Sequence, residues 1–522
     1  MIKIFLSFVA FFIISFAFSQ NNIIVNNLGL ETTISENNSN FVNSSLKSLV
    51  WSNAEKISGY PNEDSRDISI AVSADSTIHV VYCDDVPGLP SIARQKITYT
   101  KKVVGEDWTT PIIIDEFDGV TPRNDHEATV AVSPNGDVHV AYHYWAYDGT
   151  GRNQVTYSKY TNITDTWSTE IISGDSGHVY ATYSDYPTVA STDNNIPVVA
   201  WGNDNTNNYD EAYLTYNNGT WQTPILISSA DSNLAQFPDL VPIGGEKVFV
   251  LFREYNVAKD TLSLYYRIFD ANDGSLTEIK KINASEREST SNYDSYYLYD
   301  ACYNNNDSVF IALNSVDSII GFYYDIINDT LIKTEHEFRT NVSYYANYNL
   351  LSVTADNEGT IHIGYTIWNT NSNSIKYVKY NRSEGFSNPQ IISTNDAIDE
   401  PKLVYGPDNN IHFIYADDHE DTNNDGYVDR EVYYVFSDIT SKISSPKISN
   451  NNIKVFPNPS NSGIFNIETN EILNITILST NGQIIYNGTS NSVIDLSGYN
   501  DGIYILKAEN NKTNYFTKLI KQ

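Results

Sequence analysis

Between Val50 and about Asp438, short apolar runs alternate with polar positions and are separated by turns rich in Gly, Asn, Asp and Ser. This is the period of β-strands, and no helical spacing interrupts it. The runs recur as one unit roughly every 50–60 residues, a repeat length typical of stacked or radial architectures. The register is clearest in the second strand of each unit: IHVVY (78–82), VHVAY (138–142), PVVAW (197–201), VFVLF (248–252), VFIAL (309–313), IHIGY (361–365) and IHFIY (411–415). Tyrosine-rich third strands follow, such as VTYSKY and IKYVKY, then fourth strands that often open with tryptophan, as in TWSTEIIS and TWQTPILIS.

Four antiparallel strands per unit predict an all-β, seven-bladed β-propeller over residues 49–438. The seventh unit has no fourth strand of its own before residue 439. The segment VWSNAEKIS (Val50–Ser58) shares the Trp-Ser opening and Ile-Ser close of TWSTEIIS, so residues 49–58 are expected to complete that blade and close the ring.

The histidines divide by position. His139 is the second residue of its strand, where His79, His362 and His412 stand in other units and Val198, Phe249 and Phe310 in the rest. A position that accepts Val, Phe or His is one of packing. His126 lies thirteen residues earlier, and the same offset in the other units gives Arg66, Asp185, Gln236, Tyr297, Asn349 and Asp399. All seven are polar although each precedes an apolar run. In an antiparallel meander the start of strand one and the end of strand two lie at the same end, so these seven should ring one mouth of a central channel. Glu127, His143, Trp145, Arg253 and Trp368 are expected at the same mouth. Carboxylates, aromatic rings and a few cations together suit a carbohydrate, whose CH faces stack on rings while its hydroxyls take hydrogen bonds.

The ends of the chain supply an address. MIKIFLSFVAFFIISFAFSQ has a basic Lys3, an apolar run to about Phe18, and small residues before Gln20, which reads as a signal peptide over 1–19. An Asn- and Ser-rich leader over 20–48 follows. Residues 453–522 carry short alternating runs divided by Asn, Gly and Ser, the pattern of a small β-sandwich. VFPNPSNSG (Val455–Gly463), STNGQIIYNG (Ser479–Gly488) and DLSGYNDGIYILK (Asp495–Lys507) fall there in order. They resemble the type A C-terminal sorting domain of the Bacteroidetes type IX secretion system, and residues 439–452 resemble its linker. The resemblance implies export through both membranes, with that machinery as a partner, and a product that is free or attached to the cell surface. No transmembrane segment is expected in the mature chain.

The formal net charge of −32 argues against nucleic acid and anionic membranes, because phosphate binding needs Lys and Arg. The two cysteines, Cys83 and Cys302, do not form a disulfide framework and are read as buried strand residues.

The repeat resembles the BNR/sialidase-like propeller superfamily over essentially all of Val50–Asp438. That group includes sialidases, polysaccharide lyases, glycan-binding proteins and non-catalytic surface proteins, so the resemblance implies a fold more than an activity. A sialidase needs an arginine cluster, and only Arg66 and Arg253 stand at the mouth. QFPDLVPIGGEKVFVLFRE (Gln236–Glu254) resembles the lyase blade that carries a catalytic tyrosine before proline and an arginine after it, but Phe237 holds the tyrosine position. The lyases' histidines belong to the preceding blade, whose matching region here, SDYPTVAS and WGNDN, has none. His126 and His143 sit one blade earlier still, which leaves their reach to Arg253 open.

The leading expectation is therefore recognition of an extracellular polysaccharide without catalysis. A lyase, or less readily a glycosidase, using His126, His143 and Arg253 is the alternative, and an adhesion or protein-binding propeller a third. Finally, DDHEDTNNDGYVDRE (Asp417–Glu431) places oxygens at Asp421, Asn423, Asp425 and Asp429 around a turn glycine, a candidate Ca2+ loop.

Overall fold

The computed structural model describes residues 49–438 and 454–522, apart from 61–62, 92, 115–122, 147–152, 175–183, 205–209, 230–233, 257–258, 260, 289–298, 305–306, 316–317, 340–350, 368–373, 395–397, 420–428, 469–472, 480–483, 490–492 and 510–513. The chain divides into two compact units, Met1–Asp438 and Ile439–Gln522.

In the first unit the described residues form seven antiparallel sheets of four strands, with a fifth strand in two of them. The first strands are Ser65–Val72, Arg123–Val132, Ser184–Ser191, Leu234–Pro242, Tyr299–Asn304, Leu351–Ala355 and Ile398–Tyr405. Each packs against the first strand of the next sheet, and the last packs against Ser65–Val72. The sheets therefore close into a cycle, and the first unit is a β-propeller. Glu55–Lys56 pairs antiparallel with Asp429–Asp438 as the outer strand of the last blade, and Trp51 bridges Ser437. Chain start and chain end thus share one sheet, and Lys56 and Ser58 both bond the Glu431 carboxylate across that seam.

Alternation along the second strands does not divide core from solvent. In Ile78–Asp85 every residue is buried, because both faces of a blade are covered by neighbouring blades. Such strands must satisfy any polar side chain internally, and the second-place histidines do so in one way. His79, His139, His362 and His412 each bond the hydroxyl of a third-strand tyrosine: Tyr99, Tyr157, Tyr377 and Tyr434. A tryptophan from an outer strand then packs edge-on against each tyrosine: Trp167 on Tyr99, Trp221 on Tyr157, Trp51 on Tyr377 and Trp108 on Tyr434, with ring centroids 4.7–5.1 Å apart. Each tryptophan belongs to the blade after its tyrosine. His, Tyr and Trp thus form one interlock between successive blades, and in two of the other three Phe249 and Phe310 pack on tyrosines instead.

Cys83 is fully buried and Cys302 only partly so, and both are free thiols. The partial exposure of Cys302 departs from expectation, although its side chain packs against the apolar cluster that Phe310, Val353 and Ile363 form between the fifth and sixth blades.

The second unit packs Lys454–Phe456, Ile464–Glu468 and Ile494–Asp495 as one sheet. Ile484–Thr489, Asn474–Ser479, Gly502–Glu509 and Asn514–Lys521 form the other. Phe465, Ile475, Ile477, Leu506 and Leu519 fill the core between them. No helix among the described residues is long and apolar enough to cross a membrane.

Burial, reinforced by nearby Lys101, pushes the His79 pKa down to about 4, and burial with Lys159 pushes that of His139 down to about 3. Both lie below the unfolded value near 6.5, so the unfolded chain binds more protons between those limits. Stability should hold above about pH 6.5 and decline as pH falls toward 4, by on the order of 1–3 kcal/mol per histidine. Denaturant unfolding across pH should show this slope, and it should flatten in His79→Phe and His139→Phe. An unchanged slope in both variants would assign the acid sensitivity elsewhere.

Candidate functional site

The first strands carry an irregularity that the sequence pattern conceals. In five blades the register slips just after the predicted ring residue: between Arg66 and Ser69, His126 and Thr129, Asp185 and Thr188, Gln236 and Asp239, and Asp399 and Lys402. Two residues there oppose one on the partner strand, which is a β-bulge. The first bulged residue is left-handed each time, with φ of 53° at Asp67, 56° at Glu127, 54° at Tyr186, 52° at Phe237 and 54° at Glu400. None is glycine, so each position holds backbone strain of about 1 kcal/mol or more. The equivalent stretches of the fifth and sixth blades lie outside the described residues.

A bulge takes backbone N–H groups out of the ladder, and they need other acceptors. The preceding blade supplies them. Asp67 Oδ2 accepts from the Glu127 N–H at 3.1 Å, Glu127 Oε2 from the Tyr186 N–H at 2.8 Å, and Glu400 Oε2 from the Ile68 N–H at 2.9 Å. Pro187, Pro238 and Pro401 fill the second bulge position in three blades, where proline has no N–H to satisfy. Farther along the same strands Asp300 accepts from Val353 N–H at 2.6 Å, and Ser69 from Val130 N–H at 3.2 Å.

The bulges turn side chains into the mouth. Cross-strand pairing sets Arg66 opposite Cys83, His126 opposite His143, and Gln236 opposite Arg253. His126 and His143 stack with ring centroids 5.5 Å apart. His143 Nδ1 lies 3.1 Å from Glu127 Oε2, its Nε2 3.8 Å from Asp185 Oδ1, and His126 Nδ1 3.9 Å from Asp67 Oδ2. Arg66 pairs with Asp64 at 2.8 Å. Arg253 is buried, donates to Gln236 Oε1 at 2.6 Å, and lies 4.1 Å over the Phe237 ring, which packs in turn at a tilt on Tyr186, ring centroids 3.9 Å apart. Trp145, opposite Asn124 at the same end of the second blade, is 45% exposed.

Two histidines in contact take opposite states. Burial opposes charge on His143, but Glu127 and Asp185 outweigh it and raise its pKa to about 9. Burial keeps His126 neutral, against Asp67 and with the help of the His143 charge. The same burial pushes the Glu127 carboxyl up, against the pull of His143. Near neutrality this is an imidazolium held between two carboxylates and stacked on a neutral imidazole.

Of the residues expected at the mouth, Arg66, His126, Glu127, His143, Trp145, Asp185, Gln236 and Arg253 are brought to one sector, formed by the first four blades. The Asp399 backbone pairs with Ala416 at the corresponding place. Tyr297, Asn349 and Trp368 lie outside the described residues, as do Asp421, Asn423 and Asp425 of the acidic loop. Asp429 is buried opposite His419 on the third strand of the last blade. The sequence reading passed over Asp67 and Tyr186. The signal available for Tyr186 was the parallel between DYP (185–187) and QFP (236–238), which sets its ring beside Phe237.

Residues 454–522 match the family described as Secretion system C-terminal sorting domain. The protein is therefore type IX secretion cargo, an exported β-propeller that is released or held at the cell surface. No curated protein sequence matches the chain. Similar solved structures include a protein of unknown function from Dyadobacter fermentans (10% identity, covering 74% of this chain and 97% of that one, TM-score 0.44). An intramolecular trans-sialidase from Ruminococcus gnavus (11%, 77% and 98%, 0.41) and an alpha-L-arabinanase from Penicillium chrysogenum (11%, 64% and 99%, 0.44) are also similar. No residue role carries across at these identities.

Glu127 serves two partners at once, which gives a test. Glu127→Ala leaves the Tyr186 N–H without its acceptor and should cost about 2 kcal/mol in thermal or denaturant unfolding. Glu127→Gln retains an oxygen acceptor and should cost less, while its lost charge lets burial lower the His143 pKa, as read by the imidazole resonances. Equal stability in all three proteins would remove the bridging role.

Proposed function

We propose that this protein binds an extracellular saccharide at the mouth formed by its first four blades. One observation carries the reading: the Tyr186–Phe237–Arg253 stack adjoins the polar cluster of Glu127, His143 and Asp185, with an exposed Trp145 on the same rim. Aromatic faces take the CH faces of a sugar ring, and charged groups fixed by their own partners take its hydroxyls without having to be ordered on binding. A flat protein interface would not need such a recessed group of mutually satisfied charges.

A second reading, elimination on an acidic polysaccharide, has one observation in its favour. Phe237 cannot exchange a proton, but the Tyr186 ring packs against it and so brings a phenol near the Arg253 side. Proton abstraction beside a carboxylate needs a base and a neighbouring cation, and His126, Tyr186 and Arg253 are the residues that would serve.

The experiment incubates the full exported chain with a panel of neutral and acidic polysaccharides. It follows retention in affinity gels, new reducing ends and the ultraviolet absorbance of unsaturated uronate. Retention without products is expected, with Trp145→Ala and Arg253→Ala each weakening it by about tenfold. New unsaturated uronate would establish the second reading, and reducing ends alone would indicate hydrolysis. Retention by none of the polysaccharides, from a folded protein, would remove the proposal.

A further inference from the structure

One group at this mouth is unlike the rest. Asp67, Cys83 and His126 come from three different strands: the first and second strands of the first blade, and the first strand of the second. Yet one carboxylate oxygen, the sulfur and one imidazole nitrogen all lie within 4.8 Å of one another. We propose that these three side chains form a binding site for a borderline transition-metal ion such as Zn2+.

The local backbone builds this group. Cys83 is the cross-strand partner of Arg66, the residue immediately before the bulge. The left-handed turn at Asp67 sends its carboxylate toward the second blade, where the Glu127 N–H fixes one oxygen at 3.1 Å. That orientation brings Asp67 Oδ2 to 3.9 Å from His126 Nδ1. The His126 ring is itself held by its stack on His143. Two of the ligands are thus positioned by contacts that exist without the ion, the condition for a preorganised site. The third, Cys83, is fully buried and lies 3.0 Å from the Asp125 carbonyl oxygen, to which its thiol donates.

The donor set selects the ion. Sulfur and imidazole nitrogen favour Zn2+ and similar ions over Ca2+ and Mg2+, which take oxygen ligands. Three protein ligands leave a fourth tetrahedral position open, the form of zinc sites that accept water or another ligand. Binding replaces the thiol proton of Cys83 with the metal and releases that proton to solvent. Nearby cations are already paired: Arg66 with Asp64 at 2.8 Å, and the His143 imidazolium with Glu127 and Asp185, which leaves the Asp67 carboxylate to bring negative charge to the ion.

Co2+ provides the test, because a thiolate bound to it gives an intense near-ultraviolet charge-transfer absorption. The full exported chain, freed of metal by chelation, is titrated with Co2+ and then with Zn2+. The expected result is a thiolate–cobalt band that saturates at about one equivalent and is displaced by Zn2+. Cys83→Ser should abolish the band and Cys302→Ser should leave it intact. If Cys83→Ser does not fold, His126→Ala keeps the sulfur but should weaken Co2+ binding by more than about tenfold. Absence of the band in the wild-type protein, its survival in folded Cys83→Ser, or unchanged affinity in His126→Ala would each overturn the proposal.

Discussion

The mouth of this propeller depends on a hydrogen bond passed from one blade to the next. A bulge at the start of a first strand frees backbone N–H groups that its own sheet cannot satisfy. The carboxylate on the preceding bulge accepts one of them: Glu400 for Ile68, Asp67 for Glu127, and Glu127 for Tyr186. A buried N–H with no acceptor costs about 1–3 kcal/mol, so at these three junctions one blade fixes the position of the next. Lower in the channel Asp300 and Ser69 repeat the arrangement. Near the rim, the acidic residues that look like a ligand-binding ring are therefore part of the framework as well.

The same bulges make the site. Five non-glycine residues in left-handed conformation are costly, and such strain persists only where surrounding contacts impose it. Here it redirects side chains that a regular strand would leave flat against a neighbouring blade. The Tyr186 and Phe237 rings pack together at a tilt, and Arg253 closes over Phe237. Glu127 turns so that one carboxylate oxygen serves both the Tyr186 backbone and His143. A saccharide would meet a surface whose polar groups are already ordered, which lowers the entropy lost on binding.

Much of the framework was legible in the sequence because strands and turns leave local signals. The second-strand register exposed the repeat, and the Trp-Ser opening of Val50–Ser58 pointed to the outer strand now seen pairing at Glu55–Lys56. Counting thirteen residues back from the second place of the second strand reached the residue just before the bulge in five blades, although only as a polar position. Their geometry stayed hidden because left-handed conformation is usually marked by glycine or asparagine, and Asp, Glu, Tyr and Phe carry it here. His139 was readable as a packing residue, but its bond to Tyr157 and the tryptophan behind that tyrosine join residues from two blades. Cys83 read as an ordinary core residue, since nothing in its neighbourhood in the sequence places Asp67 and His126 beside it.

Site-resolved hydrogen exchange at the Ile68, Glu127 and Tyr186 amides tests the hand-off between blades most directly. These amides sit at bulges near the rim. If carboxylates of the preceding blades hold them, they should exchange as slowly as ladder amides such as that of Val140. Exchange at the rate of solvated turns, in an otherwise protected propeller, would mean that the carboxylates do not bridge the blades and that the mouth is not preorganised.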